Sequence, residues 1–269
     1  MSNRLAGPLA WLLFPITATV MVFILAPLVV TVAISISDTA FVAFPPRGFT
    51  IRWYEKVLSD PEFLGSLAFS AGLALAATSG AMLLGVPAAF AVVRSRFPGR
   101  GAAATALLSP LVFPVLITGV ALLQLFAMMG FNNTTLNLLI AHVLVTTPYV
   151  VRTVTASLML ADITLEEAAQ TLGATAWRSF RRITLPLSLP GLAVGCTLVF
   201  SLTAGSFVTP AILGGSAAQM LGMLVDQQIL VVYDWPFGAT VATVLVAIVL
   251  TINIVSMRAL DRDNRTAAA

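Results

Sequence analysis

The sequence predicts an all-helical, polytopic membrane protein that crosses the bilayer six times, and three observations carry that expectation. Of 269 residues, 59% are hydrophobic and only 9% charged, a balance far outside that of soluble globular domains. Six apolar runs are each long enough to span a hydrocarbon core, which takes about 20 residues as a helix. Lys and Arg gather on one side of the spans so defined. These runs leave little room for a soluble domain, so residues 1–269 read as a single transmembrane domain.

The first run covers residues 8–34. It exceeds the roughly 7–15 residues of a signal-peptide core and lacks a small-residue cleavage site after it, so it reads as the first membrane helix. Residues 37–64 form a polar connection with a Pro45-Pro46-Arg47-Gly48 turn. Within it Trp53, Tyr54, Val57 and Leu58 fall near one helical stripe, which predicts an amphipathic helix on the membrane face. The second span, residues 65–93, is rich in Ala and Gly and is expected inside the bundle, because small residues let helix backbones approach in lipid. A basic link at 94–100 leads to a third span at 102–129. The uncharged Phe131-Asn132-Asn133-Thr134 turn precedes a fourth at 136–160, which carries His142, Pro148 and Arg152. The fifth is expected at 191–213, with Gly191 and Gly195 offering a close-packing face. A connection at 214–236 holds Asp226 and Asp234 but no basic residue, and the last span runs over 237–257. The lone Cys196 leaves no internal disulfide and reads as a packing residue.

Six spans put both termini on the same side as the 94–100 and 160–190 loops. That side holds Arg4, Arg94, Arg96, Arg100, Arg152, Arg178, Arg181, Arg182, Arg258, Arg262 and Arg265, against Arg47, Arg52 and Lys56 on the other. An excess of this kind marks the cytoplasmic face. The basic residues thus follow topology, with lipid headgroups rather than nucleic acid as the partner they imply.

The long polar island at 164–190, TLEEAAQTLGATAWRSFRRITLPLSLP, stands out in this setting. Thr164 with Glu167 three residues on is the spacing of a capping box, which predicts a helix start. Leu165, Ala168, Ala169, Leu172 and Ala176 then recur at helical spacing as a small-sided apolar face, with Glu166 and Gln170 turned away. Gly173 suits the left-handed residue that ends a helix, and Thr175 can cap a second short one. Pro186 and Pro190 are expected to stop it, Pro190 also fitting the first turn of the next helix.

The run Glu167-Ala168-Ala169, then Gly173, then Ile183-Thr184-Leu185-Pro186 resembles the cytoplasmic EAA loop of permease subunits from bacterial ATP-binding-cassette importers. The resemblance covers nearly the whole chain. It implies the type I importer permease fold in the bacterial inner membrane. Glu167, Ala168, Ala169 and Gly173 would form a coupling helix seated on an ATPase subunit, with Leu185 and Pro186 closing the motif. It also implies a second, homologous permease subunit, two ATPase subunits carrying ATP and Mg, and an extracytoplasmic solute-binding protein. FVTPAILGG at 207–215 and Asp234-Trp235-Pro236-Phe237-Gly238 are similar to the spermidine/putrescine permease group, which has relatives for opines, thiamine, ferric iron and phosphonates.

The chain shows no GxxxxGK[ST] phosphate loop and no HExxH or GxSxG signature, so a partner is expected to hydrolyse ATP and no cofactor is expected here. An ion-driven carrier is the rival reading. It is disfavoured because every Asp and Glu falls in a loop or at a span's edge, whereas coupling carboxylates sit within the bilayer. Polar candidates for a substrate path are Gln124, His142, Thr146, Thr147, Ser201, Thr203, Ser206 and, for a cationic solute, Asp234. His142 reads first as a hydrogen-bonding residue between helices, and Arg152 as snorkelling to the cytoplasmic face.

Overall fold

The structure is a computed structural model that describes residues 8–39, 41, 45–215 and 218–267. Arg4, one of the residues that set the expected orientation, lies outside them. Among the described residues the chain is helical, with a lone antiparallel bridge between Ser37 and Phe49. By length and composition five helices can cross a bilayer, or six if one bent pair counts as a span. The chain divides into two compact units, residues 1–63 with 225–244 and residues 64–224 with 245–269.

In the first unit α1 (Pro8–Ser35) is apolar all round, and its described side chains from Leu13 to Val29 are exposed, as befits a helix solvated by lipid. The predicted amphipathic helix is α2 (Arg52–Ser59), whose buried residues are Trp53 and Val57 while Leu58 is exposed. It is pinned to the end of α1. Trp53 Nε1 donates to the Ser37 carbonyl at 2.8 Å, and the Ser35 and Tyr54 hydroxyls lie 2.8 Å apart. Farther along the chain, Thr240 donates to the Ser35 carbonyl at 3.3 Å.

The second unit is built on α3 (Pro61–Arg94), α6 (Thr134–Leu160) and α9 (Leu185–Ala204). Asp60 accepts the Phe63 N–H at 2.9 Å and so caps α3, and Asn133 does the same for α6 through Leu136 N at 3.0 Å. Half of the most apolar stretch of α6 is buried, more than in any other span among the described residues, which makes α6 the central rod. The Ala and Gly content of α3 does what lipid packing requires. Ala74, Ala77, Ala81 and Ala89 are fully buried, and a Cβ on Gly80 or Gly85 would stand 2.7 Å from Val143 or 2.8 Å from Val150. Gly191 and Gly195 face α6 as expected. A Cβ on Gly191 would meet the Ser157 Cβ and the Thr153 carbonyl oxygen at 2.6 Å, and one on Gly195 the Thr153 Oγ1 at 2.7 Å.

Two spans depart from the sequence reading. The third is broken: α4 (Arg100–Leu108) and the short 3-10 turn Ser109–Leu111 meet α5 (Val115–Met128) at a bend of 100°. Pro114 marks it: with ψ of 133° it leaves the helical region and it has no N–H to continue the ladder, while Pro110 sits at the start of the 3-10 turn. The fifth starts earlier than expected, because Pro186 and Pro190 do not stop the chain. A π-turn at Phe180–Thr184 widens the helix, with Leu185 N bonded to the Phe180 carbonyl. Pro186 thus falls in the first turn of α9, where no N–H is demanded, and Pro190 lies inside the helix. The span then ends at Ala204, and residues 208–213 form a separate α10 (Val208–Leu213), whose Ile212 packs on Gly119 of α5. Beyond it, Ser70 accepts the Leu221 N–H at 2.9 Å at the start of α11 (Leu221–Asp226). A second π-turn at Gln227–Val231 precedes α12 (Trp235–Ala267), whose Asn253 donates to Ser201 at 3.2 Å. Cys196 is exposed on α9 rather than packed within the chain.

Replacing Gly191 by Ala is expected to destabilise the α6–α9 contact by about 1–3 kcal/mol, the cost of overpacking. Gly72→Ala, where a Cβ meets nothing within 4 Å, is expected to be neutral or stabilising by up to about 1 kcal/mol. Thermal unfolding of the two variants in detergent checks the contrast.

Candidate functional site

The polar island forms α7 (Ile163–Thr171), a turn, and α8 (Ala176–Ser179) running into the π-turn. The helix start differs from the predicted capping box. Asp162 is the cap, its carboxylate accepting the Thr164 N–H at 2.9 Å, so Thr164 lies inside the first turn and Glu167 beyond the reach of a box. That N–H holds the Asp162 carboxyl below its usual range. The cap is therefore present at neutral pH and is lost only as pH falls through that lowered value.

The turn is built as the sequence predicts. Gly173 has φ of 89°, a left-handed value that L side chains adopt at a cost of about 1–2 kcal/mol. Gly173 N bonds the Gln170 carbonyl and Ala174 N the Ala169 carbonyl, both at 2.9 Å, which together make a Schellman closure. Thr175 then caps α8 by accepting the Arg178 N–H at 3.3 Å. The result is a protruding knob. Glu167, Ala168 and Gly173 are exposed, Leu172 and Trp177 are 89% and 68% exposed, and Ala169 is half-buried. On its concave side Ala169, Leu172, Gly173, Arg178, Arg182 and Ile183 line a hollow of about 260 Å³. Leu185 is half-buried and Pro186 exposed, at the base of the knob.

What fastens the knob was not apparent in the sequence. Glu166 does not turn to solvent: its carboxylate lies 3.0 Å from Arg94 Nη2, and both side chains are more than four-fifths buried. Arg94 also reaches the Ala161 carbonyl at 3.4 Å. The second anchor is aromatic, Phe180 meeting Phe90 edge-to-face at 5.2 Å while Trp177 stacks on Phe180 at 5.4 Å. Phe90 and Arg94 are four apart, on one face of α3. Both halves of the knob therefore bind the same stripe. Its only trace in sequence is a charge at the very end of the second span and a second Glu in the loop.

The substrate-path candidates other than Asp234 lie on α5, α6, α9 and the turn that follows α9. Gln124 is exposed on α5. His142 is buried on α6, with Nδ1 2.8 Å from the Leu138 carbonyl of its own helix rather than bonded to a neighbour. Thr146 and Thr147 donate to the His142 and Val143 carbonyls at 2.6 Å, and Thr147 also lines an apolar cavity of about 690 Å³ with Leu84, Ala106, Leu139 and Val143. Ser201 donates to the Thr197 carbonyl at 2.7 Å, Thr203 is fully buried, and Ser206 is half-buried. Asp234, in the other unit, is already ion-paired with Lys56 at 2.9 Å.

Residues 81–266, which include the whole knob, match the family described as binding-protein-dependent transport system inner membrane component. The chain belongs to this family. It is 34% identical over 210 residues, 76% of this chain and 74% of the relative, to the putrescine transport system permease protein PotI of Escherichia coli strain K12. Identity to the spermidine/putrescine transport system permease protein PotC of the same strain is 28%, over 87% of this chain and 88% of that one. Among solved structures, a bacterial transporter for the acidic polysaccharide alginate superposes with a TM-score of 0.64 at 18% identity, covering 95% of this chain and 99% of that chain. The MetNI methionine transporter gives 0.65 at 19% identity, over 75% and 95%. The fold is thus that of type I importer permeases, and the chain is a multi-pass inner-membrane subunit that leaves ATP hydrolysis to a partner.

Glu166→Ala is expected to loosen α7 by roughly 1–3 kcal/mol, the range for a hydrogen bond to a charged group that loses its partner. Amide exchange over residues 163–173 reads this out. The swap Arg94→Glu with Glu166→Arg restores at least part of the protection, whereas unchanged exchange in Glu166→Ala would refute the anchor.

Proposed function

We propose that this chain is one permease subunit of an ATP-driven importer for polyamines or related compounds, and that the α7–turn–α8 knob is its docking element for an ATPase subunit. The observation that carries this reading is the knob itself. It is a rigidly closed helix-turn-helix with small and apolar residues outward, fastened by Arg94 and Phe90 to α3 and continuous through the π-turn with α9. Glu167, Ala168, Ala169 and Gly173 supply the contact face, and Leu185 and Pro186 the junction to the span. The excess of Arg on the side of the knob supports a cytoplasmic placement for it and for both termini.

The complete machine in this proposal has a second permease subunit, a distinct homologous chain, two ATPase subunits and an extracytoplasmic binding protein. Closure of the ATPase pair on ATP moves the knobs. ATP can shift the transporter only by its different affinity for the two states, so the knob must contact the ATPase differently in each. The polyamine assignment rests on the relatives named above. Gln124, His142, Thr147, Ser201, Thr203, Ser206 and Asp234 are proposed to contribute to the substrate path.

Glu167→Lys and Gly173→Pro are expected to insert normally but to lower ATP-driven putrescine uptake into proteoliposomes at least about tenfold while ATPase activity persists, a loss of roughly 1.4 kcal/mol of coupling per decade. Wild-type uptake by both variants would remove the docking role. Uptake of other solutes but not amines by the wild type would remove the substrate assignment.

A further inference from the structure

Lys56 is a solvent-reaching lysine whose head is held by three groups. Its Nζ lies 2.9 Å from Asp234 Oδ2, 5.0 Å from the centre of the Phe237 ring and 5.5 Å from that of Trp53. Phe237 and Trp53 are 3% and 9% exposed, and the Asp234 side chain is 21% exposed. A carboxylate acceptor and two buried ring faces are what a primary ammonium seeks: an opposite charge, a hydrogen-bond acceptor, and the negative face of an aromatic quadrupole.

The walls are fixed independently of the lysine. Trp53 Nε1 is bonded to the Ser37 carbonyl at 2.8 Å. Asp234 uses Oδ1 to cap α12 through Phe237 N at 3.2 Å, which leaves Oδ2 for a cation. The first turn of α12 is pressed on its neighbour, a Cβ on Gly238 standing 2.7 Å from Ile229 Cγ1. The nearby Arg52 pairs with Asp38 Oδ1 at 2.9 Å and also stands over the Trp53 ring at 4.6 Å, so Trp53 faces two cations while Asp234 and Phe237 face Lys56. Lys56, by contrast, has a side chain that is 54% exposed on a flexible stem, and long-stemmed surface pairs of this kind add little stability. The walls thus have bonds of their own, and the lysine is more exposed than they are.

We propose that Trp53, Asp234 and Phe237 form a seat for a primary alkylammonium, which Lys56 fills as a tethered stand-in and vacates when an ammonium of the substrate arrives. The inference rests on the amine-substrate reading above, and the chemistry fits it. A lysine side chain is four methylenes ending in –NH3+, so its terminal end reproduces either end of 1,4-diaminobutane. The exchange conserves charge, one ammonium leaving Asp234 as another enters. A quaternary ammonium cannot donate the hydrogen bond to Oδ2 and is excluded from full occupancy.

The test is chemical complementation of the purified transporter in nanodiscs, with n-butylammonium as the probe and tetramethylammonium and sodium chloride as controls. Lys56→Ala empties the seat, Lys56→Met empties it while keeping the apolar stem, and Asp234→Asn removes its charge. At about 10 mM, n-butylammonium is expected to raise the melting temperature of both Lys56 variants by about 3 °C. Its half-maximal concentration should be at least tenfold lower than for the wild type, and it should have no effect on Lys56→Met combined with Asp234→Asn. Equal shifts with sodium or tetramethylammonium, or none with n-butylammonium in either Lys56 variant, would overturn the seat. The measurement is independent of uptake. Loss of amine transport in the wild type would strike the substrate reading, while the n-butylammonium shift alone decides whether the seat exists.

Discussion

The structure depends on how closely α9 approaches α6. In lipid there is no hydrophobic drive to bring two apolar helices together, so the contact must come from dispersion between surfaces that fit. Gly191 and Gly195 provide that fit: the space where their side chains would stand is filled by Thr153, Ser157 and the backbone of α6. Gly80 and Gly85 do the same for α3 against Val143 and Val150. α6 is thus gripped from two sides by helices stripped of side chains at the points of contact. Val150, Val151, Val154 and Leu158 of α6 form a buried core with Val199 of α9, in which the valines are stiff at χ1.

The two helices that grip α6 are also the ones that hold the knob. α3 ends in the Phe90 and Arg94 stripe, and α9 begins where the π-turn leaves α8. The knob is therefore an extension of the packed core rather than a loop hung from it. Its apolar outward residues stand in contrast to this anchoring. Leu172 at 89% exposure and Trp177 at 68% on a rigid support form the sort of surface that marks an interaction site.

Much of this was legible in the sequence, and the failures share a cause. The small-residue faces, the left-handed turn at Gly173 and the Thr175 cap are local signals, and each appears where the spacing placed it. The proline effects are local too, but there the same residue type has two outcomes. Pro114 marks the break in the third span, while in the fifth Pro186 falls in the first turn after a π-turn and Pro190 lies inside the helix. Which happens depends on whether neighbouring helices stabilise the widened turn, and periodicity carries no record of that. The Arg94–Glu166 and Lys56–Asp234 pairs are invisible for a different reason. Each joins residues far apart in the chain, and in both cases the lone charges read most simply as topology markers or solvated surface.

The absence of slack in the knob constrains how it can work in the proposed mechanism. With a flexible linker between α8 and α9, a push on the knob would be spent on bending the linker. Here Leu185 N is bonded back to the Phe180 carbonyl, so α8 passes through the π-turn into α9 without leaving helix. Tilting α8 must then tilt α9, and because Glu166 and Phe180 are fastened to α3, that helix moves with it. The π-turn lies inside this bonded path as a single widened turn, so in the proposed mechanism the knob and the glycine-packed segment of α9 form one continuous lever.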